Sequence, residues 1–250
     1  MKKSKSMLQN KTLLFIPTYN EAENVEKIFQ RIQLLGLDTD ILFMDDNSPD
    51  ETGKIIDRIA AANKRVSRIH RKTKLGIGSA HKEGIQWAYR NRYEVLITMD
   101  CDFSHAPEYL FDFIENRNKT DIVVGSRYLK KDSLATWNIY RKSLTHLGHF
   151  LTVNFLDMPY DASGAFRLYN LKSIDKNIFS LIESNGYSFF FESLFILHLN
   201  KKSIFEIPTE LPSRTYGTSK MTWKDAWKSL VLLIRLFCRK SFRKNTLLLK

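Results

Sequence analysis

Residues 13–21 read Leu-Leu-Phe-Ile-Pro-Thr-Tyr-Asn-Glu, and residues 41–50 read Ile-Leu-Phe-Met-Asp-Asp-Asn-Ser-Pro-Asp. Each begins with four apolar residues and ends in a polar turn, the mark of a short buried strand. A helical pattern follows each one. Val25, Ile28, Phe29 and Ile32 fall on one face of Ala22–Leu35, and Thr52–Ala62 reads as a second helix. The same alternation continues outward. Strands are expected at Val66–His70, Tyr93–Met99 and Asp121–Gly125, with helices at Ser79–Arg90 and from Pro107. Strand-helix alternation of this kind builds an α/β domain, a mainly parallel sheet flanked by helices.

Past Arg127 the rhythm changes. Ile139–Leu156 reads as a long amphipathic helix, Ala165–Tyr169 as a strand, and Leu171–Ile182 and Phe189–Leu199 as helices. Ser203–Ile207 is a further strand and Tyr216–Lys220 a loop. Residues 1–11 read as a flexible N-terminus, 12–220 as one catalytic domain, and 221–250 as a basic amphipathic segment.

Composition narrows the class. The 250 residues are 43% apolar and 26% charged, which suits a folded globular chain. A net charge of +12 points to anionic partners such as nucleotide phosphates, acidic lipids or nucleic acid. Cys101 and Cys238 are the only cysteines, too few and too distant for a disulfide framework, so a reducing compartment is expected. The run Thr12–Ile16 is too short for a signal peptide and meets Pro17. No stretch approaches the ~20 apolar residues that span a bilayer. A cytoplasmic chain, or one peripheral on the cytosolic face of a membrane, is the expectation.

Ligands of an open parallel sheet sit beyond the carboxyl ends of its strands. Four polar clusters fall there: 17–21, 45–48, Asp100-Cys101-Asp102 and Gly125-Ser126-Arg127. In extended backbone Asp100 and Asp102 would face one way and Cys101 the other. Two such carboxylates suit a hard divalent ion, Mg²⁺ or Mn²⁺, completed by diphosphate oxygens. They also suit a helix cap before Pro107. Asp45 and Asp46 are either turn residues or acceptors for a nucleotide's base or ribose. Tyr19 would stack on a base or fill a gap. The stretch Lys74-Leu-Gly-Ile-Gly78 either lets backbone approach a phosphate, with Lys74 beside it, or is a plain turn into a helix. Arg127, Arg141, Arg167 and Arg214 are each phosphate ligands or surface ion-pair partners. Arg214 and Lys220 flank Gly217, an arrangement suited to a clamp on a diphosphate. The histidines lack metal-ligand spacing, and His105 reads as a loop residue.

These motifs occur together in one known family. Ile16-Pro-Thr-Tyr-Asn-Glu-Ala-Glu-Asn24, Asp45-Asp-Asn-Ser-Pro-Asp50 and Met99-Asp-Cys-Asp-Phe-Ser-His105 come in that order. Gly125-Ser-Arg-Tyr128, Trp137 with Arg141, Asp161-Ala-Ser-Gly-Ala-Phe-Arg167, Gly186-Tyr187 and Arg214 to Lys220 follow. The chain resembles the family 2 glycosyltransferases, and among them the polyprenyl (dolichyl) phosphate mannose synthases. The resemblance covers most of residues 12–220.

It implies a GT-A fold, a GDP-mannose or similar nucleotide-sugar donor, a divalent metal and a polyprenyl phosphate acceptor. It also implies roles. Pro17, Tyr19, Glu21, Met44 and Asp46 would line the nucleotide pocket. Asp100 would sit at the donor, Asp102 on the metal and Ser104 near it. Arg127, Arg214 and Lys220 would hold phosphates, and Arg141 and Thr145 would meet the acceptor phosphate. Ser104 stands where some relatives carry a Gln ligand, and Phe190 where relatives often carry Gln ahead of Glu192. The implied reaction is a direct displacement with inversion. An anionic lipid phosphate can attack without a strong base, so positioning and leaving-group stabilisation carry the catalysis. Asp161 would then orient the acceptor. Another nucleotide-sugar such as UDP-glucose, or a polysaccharide acceptor, is the alternative, and that acceptor needs a base for which Asp161 and Glu192 are the candidates. A nucleic-acid-binding protein fits the charge, but acidic clusters at the strand ends argue against nucleic acid.

From Trp223 the apolar residues fall at 223, 227, 230, 231, 234, 237 and 238, a helical stripe. Lys224, Lys228, Arg235, Arg239 and Arg243 follow a neighbouring stripe. Such a helix suits a membrane surface or a membrane-embedded partner subunit; packing on the catalytic domain is the other reading.

Overall fold

The computed structural model describes residues 11–131, 133–212 and 222–249. Strands β1 (Thr12–Thr18), β2 (Asp40–Asp45), β3 (Val66–His70), β4 (Val95–Thr98), β5 (Ile122–Ser126), β6 (Arg167–Asn170) and β7 (Ile204–Pro208) form one sheet in the order β3-β2-β1-β4-β6-β5-β7. All neighbours are parallel except β6, which runs antiparallel to β4 and β5. The winding direction reverses between β1 and β4, so a crevice opens at their carboxyl ends.

Side-chain alternation along the buried strands feeds two cores. Leu14, Ile16, Ile41 and Phe43 face helices α1 (Ala22–Leu34), α2 (Thr52–Ala62) and α4 (Leu110–Asn116). Leu13, Phe15, Leu42 and Met44 face α3 (Ile77–Arg90) and α6 (Phe189–Leu199). Helix α1 buries Val25, Ile28, Phe29 and Ile32, the face its periodicity predicts. Helix α6 is buried on all sides, from Phe189 to Leu197, and carries Glu192 and Ser193 inward with it.

One predicted element fails. Leu171–Ile182 is not a helix; only Lys176–Leu181 winds, as a 3₁₀ turn. Asn170 and Asp175 accept backbone N–H groups of Lys172 and Asn177, and such short polar side chains compete with helical hydrogen bonding.

Helices α5 (Ile139–Leu156) and α7 (Trp223–Phe242) lie alongside one another. Tyr140 meets Trp223 near their N-termini, with ring centroids 6.1 Å apart, and Phe155 meets Phe237 near their C-termini at 5.2 Å. The pairs are fifteen residues apart on one helix and fourteen on the other, so the helices run in the same direction. Thr222 and Asp225 form a capping box that starts α7. Leu233 and Leu236 of α7 are buried in the α3–α6 core, together with Leu247 beyond it. The other face of α7 is bare: Trp223 is 73% exposed and Trp227 68%, with Val231 and Ile234 also open. Helix α5 adds Ile139, Leu147 and Phe150, and buries only Thr152 and Leu156. Among the described residues no helix is long and apolar enough to cross a membrane.

Candidate active site

The loops after β1 and β2 are knitted together. The backbone N–H groups of Asn20, Glu21 and Ala22 donate to Ser48, Thr52 and Asp50. Asn20 and Asn47 adopt left-handed backbone, which asparagine tolerates. Asp45 accepts from Thr18 and from Ser48, so it closes the 45–48 turn. Pro17 is buried in β1. Glu21 takes a hydrogen bond from Asn24 at 2.7 Å and caps α1 through its carbonyl. The side chain of Met44 is fully buried in the core and cannot line an open pocket.

Asp46 is more deeply committed than the sequence suggested. It accepts from Arg71 Nη1 at 2.8 Å and from the N–H groups of Leu75 and Gly76 at 3.1 and 3.0 Å. Arg71 also donates to Ser79 and lies 3.2 Å from Glu83. Asp46 therefore fixes the Lys74–Gly78 loop and is not an open acceptor for a nucleotide. Arg71 escaped sequence reading because one cation among many at a strand end carries no signal. Within this loop Lys74 Nζ sits 3.6 Å above the Tyr19 ring.

The glycines answer to a neighbouring loop. A Cβ on Gly76 would lie 2.8 Å from the Asn185 carbonyl oxygen, and one on Gly78 2.6 Å from that of Gly186. Ser79 N–H donates to the Asn185 carbonyl. Close backbone packing thus accounts for Gly76 and Gly78 without a phosphate. The facing loop is anchored by Glu192, whose carboxylate accepts from Glu183 N–H, Ser184 N–H and the Ser184 hydroxyl. Glu192 is fully buried and committed to that loop, which removes it as an acceptor-side base.

Strand β4 ends at Thr98, so Asp100 and Asp102 lie on a bend and not on extended chain. Cys101 still turns into the core, as alternation predicts. Asp102 is buried, and its Oδ1 accepts from Ser104 N–H at 3.1 Å and Ser104 Oγ at 2.6 Å. Ser104 thereby orients Asp102. Asp100 is about one third exposed (31%). Two carboxylates are hard oxygen donors that fit Mg²⁺ or Mn²⁺. Among the described residues no group of three His, Cys, Asp or Glu could hold a metal, so a cation at Asp102 needs oxygens from a bound ligand.

Across the sheet, at the end of β5, Arg127 and Asp161 form a buried ion pair. Asp161 Oδ2 accepts from Arg127 Nε at 2.7 Å and from its N–H at 3.0 Å. Burial disfavours the Arg127 charge, but Asp161 overrides it and holds the guanidinium pKa above its ordinary value. Glu206 of β7 accepts the Asp161 N–H, and burial pushes its carboxyl up. Arg127, Tyr128, Lys130, Ser133, Lys142 and His146 border a cavity of about 260 Å³. Arg141 stacks on Trp137 at 3.4 Å, and Thr145 accepts from the Tyr128 hydroxyl through its carbonyl. Arg167 is fully buried, with Ser193, Tyr169 and the Ala162 carbonyl as partners, and so is neither a surface ion pair nor an open phosphate ligand. Arg214, Gly217 and Lys220 lie outside the described residues.

A switch-point crevice edged by acids at β2 and β4, with a cation-lined cavity beyond β5, defines a GT-A transferase scaffold. Residues 14–178 match the Glycosyl transferase family 2 profile, and the chain belongs to that family of glycosyltransferases. Two relatives align over nearly the whole chain. Polyprenol monophosphomannose synthase of Mycolicibacterium smegmatis is 34% identical over 215 residues, 85% of this chain and 81% of that protein. Undecaprenyl-phosphate mannosyltransferase of Micrococcus luteus is 34% identical over 226 residues, 90% and 93% of the two chains. Among solved structures, glucosyl-3-phosphoglycerate synthase from Mycobacterium tuberculosis, with Mn²⁺, UDP and phosphoglyceric acid, superimposes with a TM-score of 0.62. It shares 14% identity and covers 92% of this chain and 78% of its own. A mannosyltransferase from Pyrobaculum calidifontis with GDP-Man and Mn²⁺ gives a TM-score of 0.51 at 14% identity, covering 93% and 64%.

Proposed function

We propose that this enzyme transfers mannose from GDP-mannose to a polyprenyl phosphate, with inversion, at the surface of a membrane. The observation that carries this reading is the near full-length similarity to the two bacterial lipid-phosphate mannosyltransferases. The site supports it. Tyr19 and the knitted β1 and β2 loops would receive the nucleotide, held in shape by Asp46 and Arg71. Asp100 and Asp102 would hold a divalent cation against the donor diphosphate, where it supplies positive charge for the leaving group. The Arg127 cavity would take the acceptor phosphate, with Lys142 and His146 on its wall and Arg141 and Thr145 nearby on α5. Asp161 orients Arg127 and removes no proton, because a phosphate oxygen already carries the charge that attacks the anomeric carbon. Arg214 and Lys220 would close on the donor.

The acceptor's hydrocarbon tail needs an apolar surface, and the bare faces of α5 and α7 supply one. The stripe that the sequence marked from Trp223 to Cys238 is the side of α7 left exposed, while Leu233 and Leu236 do the packing. Lys224, Lys228 and Arg243 flank it and would meet anionic headgroups, whereas Arg235 and Arg239 of the predicted basic stripe are paired with Glu183.

The test is transfer of radiolabel from GDP-mannose to polyprenyl phosphate in vesicles with Mn²⁺ or Mg²⁺, with UDP-glucose as the competing donor. Labelled lipid from GDP-mannose is the expected product. Transfer from UDP-glucose alone, or to no lipid phosphate, overturns the assignment.

A further inference from the structure

The carboxylates at the end of β4 stand on a bend, Asp100–His105, that no regular structure holds. Phe103 within it takes a left-handed conformation, φ 60°, uncommon for an aromatic residue. A bend of this kind persists only where its surroundings impose it.

His105 is placed to impose it. The residue is 3% exposed. Its ring stacks on Phe166, with centroids 4.8 Å apart and planes 23° apart, and Phe166 packs on Phe113 at 4.3 Å. From that platform Nδ1 accepts the backbone N–H of Asp100 at 3.0 Å. The bond runs from the last residue of the bend to the first. Ser104 holds Asp102 from within the bend, and His105 holds Asp100 from beneath it.

We propose that His105 is a positioning residue for the metal and donor site: by closing this bend it sets how tightly Asp100 and Asp102 hold a divalent cation with a nucleotide. The proposal rests on the reading of these two carboxylates given above. His105 acts through Asp100, to whose backbone N–H it is bonded and whose carboxylate Oδ2 lies 3.9 Å from the same Nδ1, and it touches no reacting atom. Outer-shell partners of this kind commonly change metal affinity by about 10–100-fold when removed.

Two variants separate the acceptor from the ring. His105→Phe keeps the stack on Phe166 and loses the acceptor; His105→Asn offers an amide oxygen near the Nδ1 position and loses the ring. Mn²⁺ binding in the presence of GDP is measured by the electron paramagnetic resonance of free Mn²⁺, alongside melting without ligand. His105→Phe should bind Mn²⁺ about 10–100-fold more weakly with little change in melting temperature. His105→Asn should stay much closer to wild type. Unchanged Mn²⁺ binding in His105→Phe overturns the proposal, as does equal weakening in both variants, which would assign the effect to ring packing. His105→Leu is a second acceptor-free variant; if neither it nor His105→Phe folds, the residue is structural and the proposal falls. If wild type binds no Mn²⁺ with GDP or UDP, the reading of the donor site itself fails.

Discussion

Arg71 and Asp46 face each other at 2.8 Å with side chains 4% and 7% exposed, an ion pair walled off from water between β2 and the start of α3. Removing one partner strands the other charge in the interior. Arg71→Met should destabilise the fold by about 3 kcal/mol, the low end for a broken buried pair, because Asp46 keeps its bonds to Leu75 and Gly76. Urea unfolding at pH 7 measures it. Binding of GDP, followed by fluorescence or calorimetry, should weaken as the loop under Lys74 loosens. A wild-type midpoint would show that the pair carries no net stability.

Asp161 accepts from Arg127 Nε and N–H, and under the proposed reaction it orients that cation and removes no proton, which fixes the size of its effect. Asp161→Asn keeps the shape and exchanges a charge-assisted bond for a neutral one. Transfer to polyprenyl phosphate should fall about tenfold, matching ~1.4 kcal/mol of lost orientation. Loss of a general base costs about 10²–10⁴. Initial rates at saturating donor decide it, and a drop of about a thousandfold would restore Asp161 as a base.

His81 is fully buried among Phe15, Phe189 and Phe190, and burial lowers its pKa to about 3. The unfolded chain binds this proton near pH 6.5 and the native chain only near 3, so acid favours unfolding within that window. The contribution approaches ~1.4 kcal/mol per pH unit between those values and adds no further loss below them. Stability of His81→Phe should depend less steeply on pH between 6 and 4 in urea titrations. Parallel pH profiles for the two proteins would mean that other groups dominate the acid response.

Trp227 and Phe150 sit on the bare faces of α7 and α5, 68% and 58% exposed. Burying such a side chain is worth about 1.5–3 kcal/mol. Trp227→Glu and Phe150→Glu should each weaken vesicle binding at least about tenfold and leave melting unchanged. Flotation with and without anionic lipid reads the effect. Point variants are the right tool, because Leu233 and Leu236 make α7 part of the core and its deletion would unfold the chain. Unaltered flotation in both variants removes this face as the membrane contact.

Much of the first half was legible because each strand was an apolar run closed by a polar turn. Thr52–Ala62 and Val66–His70 emerged with their predicted bounds, and Ile139–Leu156 likewise. The strand-end clusters pointed to the crevice, since chain order and the parallel rule suffice to gather them. What sequence hid was which polar atoms are already occupied. Asp46 and Glu192 look like ligands until Arg71 and the Glu183–Ser184 backbone are found on them, partners 25 and about nine residues away along the chain. His105 was hidden for the opposite reason: a lone histidine in a loop gives no hint that its ring underlies Asp100. The extended backbone expected at Asp100–Asp102 is a bend instead, because β4 already ends at Thr98.

Gly76 and Gly78 press directly on the carbonyls of Asn185 and Gly186, with Phe189 Cβ also 2.6 Å from a Cβ at 78. Two segments about 110 residues apart therefore share one allotment of space. In descendants of this sequence the start of α3 and the loop ahead of α6 cannot drift independently: a side chain gained at 78 must coincide with a shortened or displaced loop at 185–186. Chimeras that exchange one segment between relatives and leave the other behind should misfold, while those that exchange both together should not.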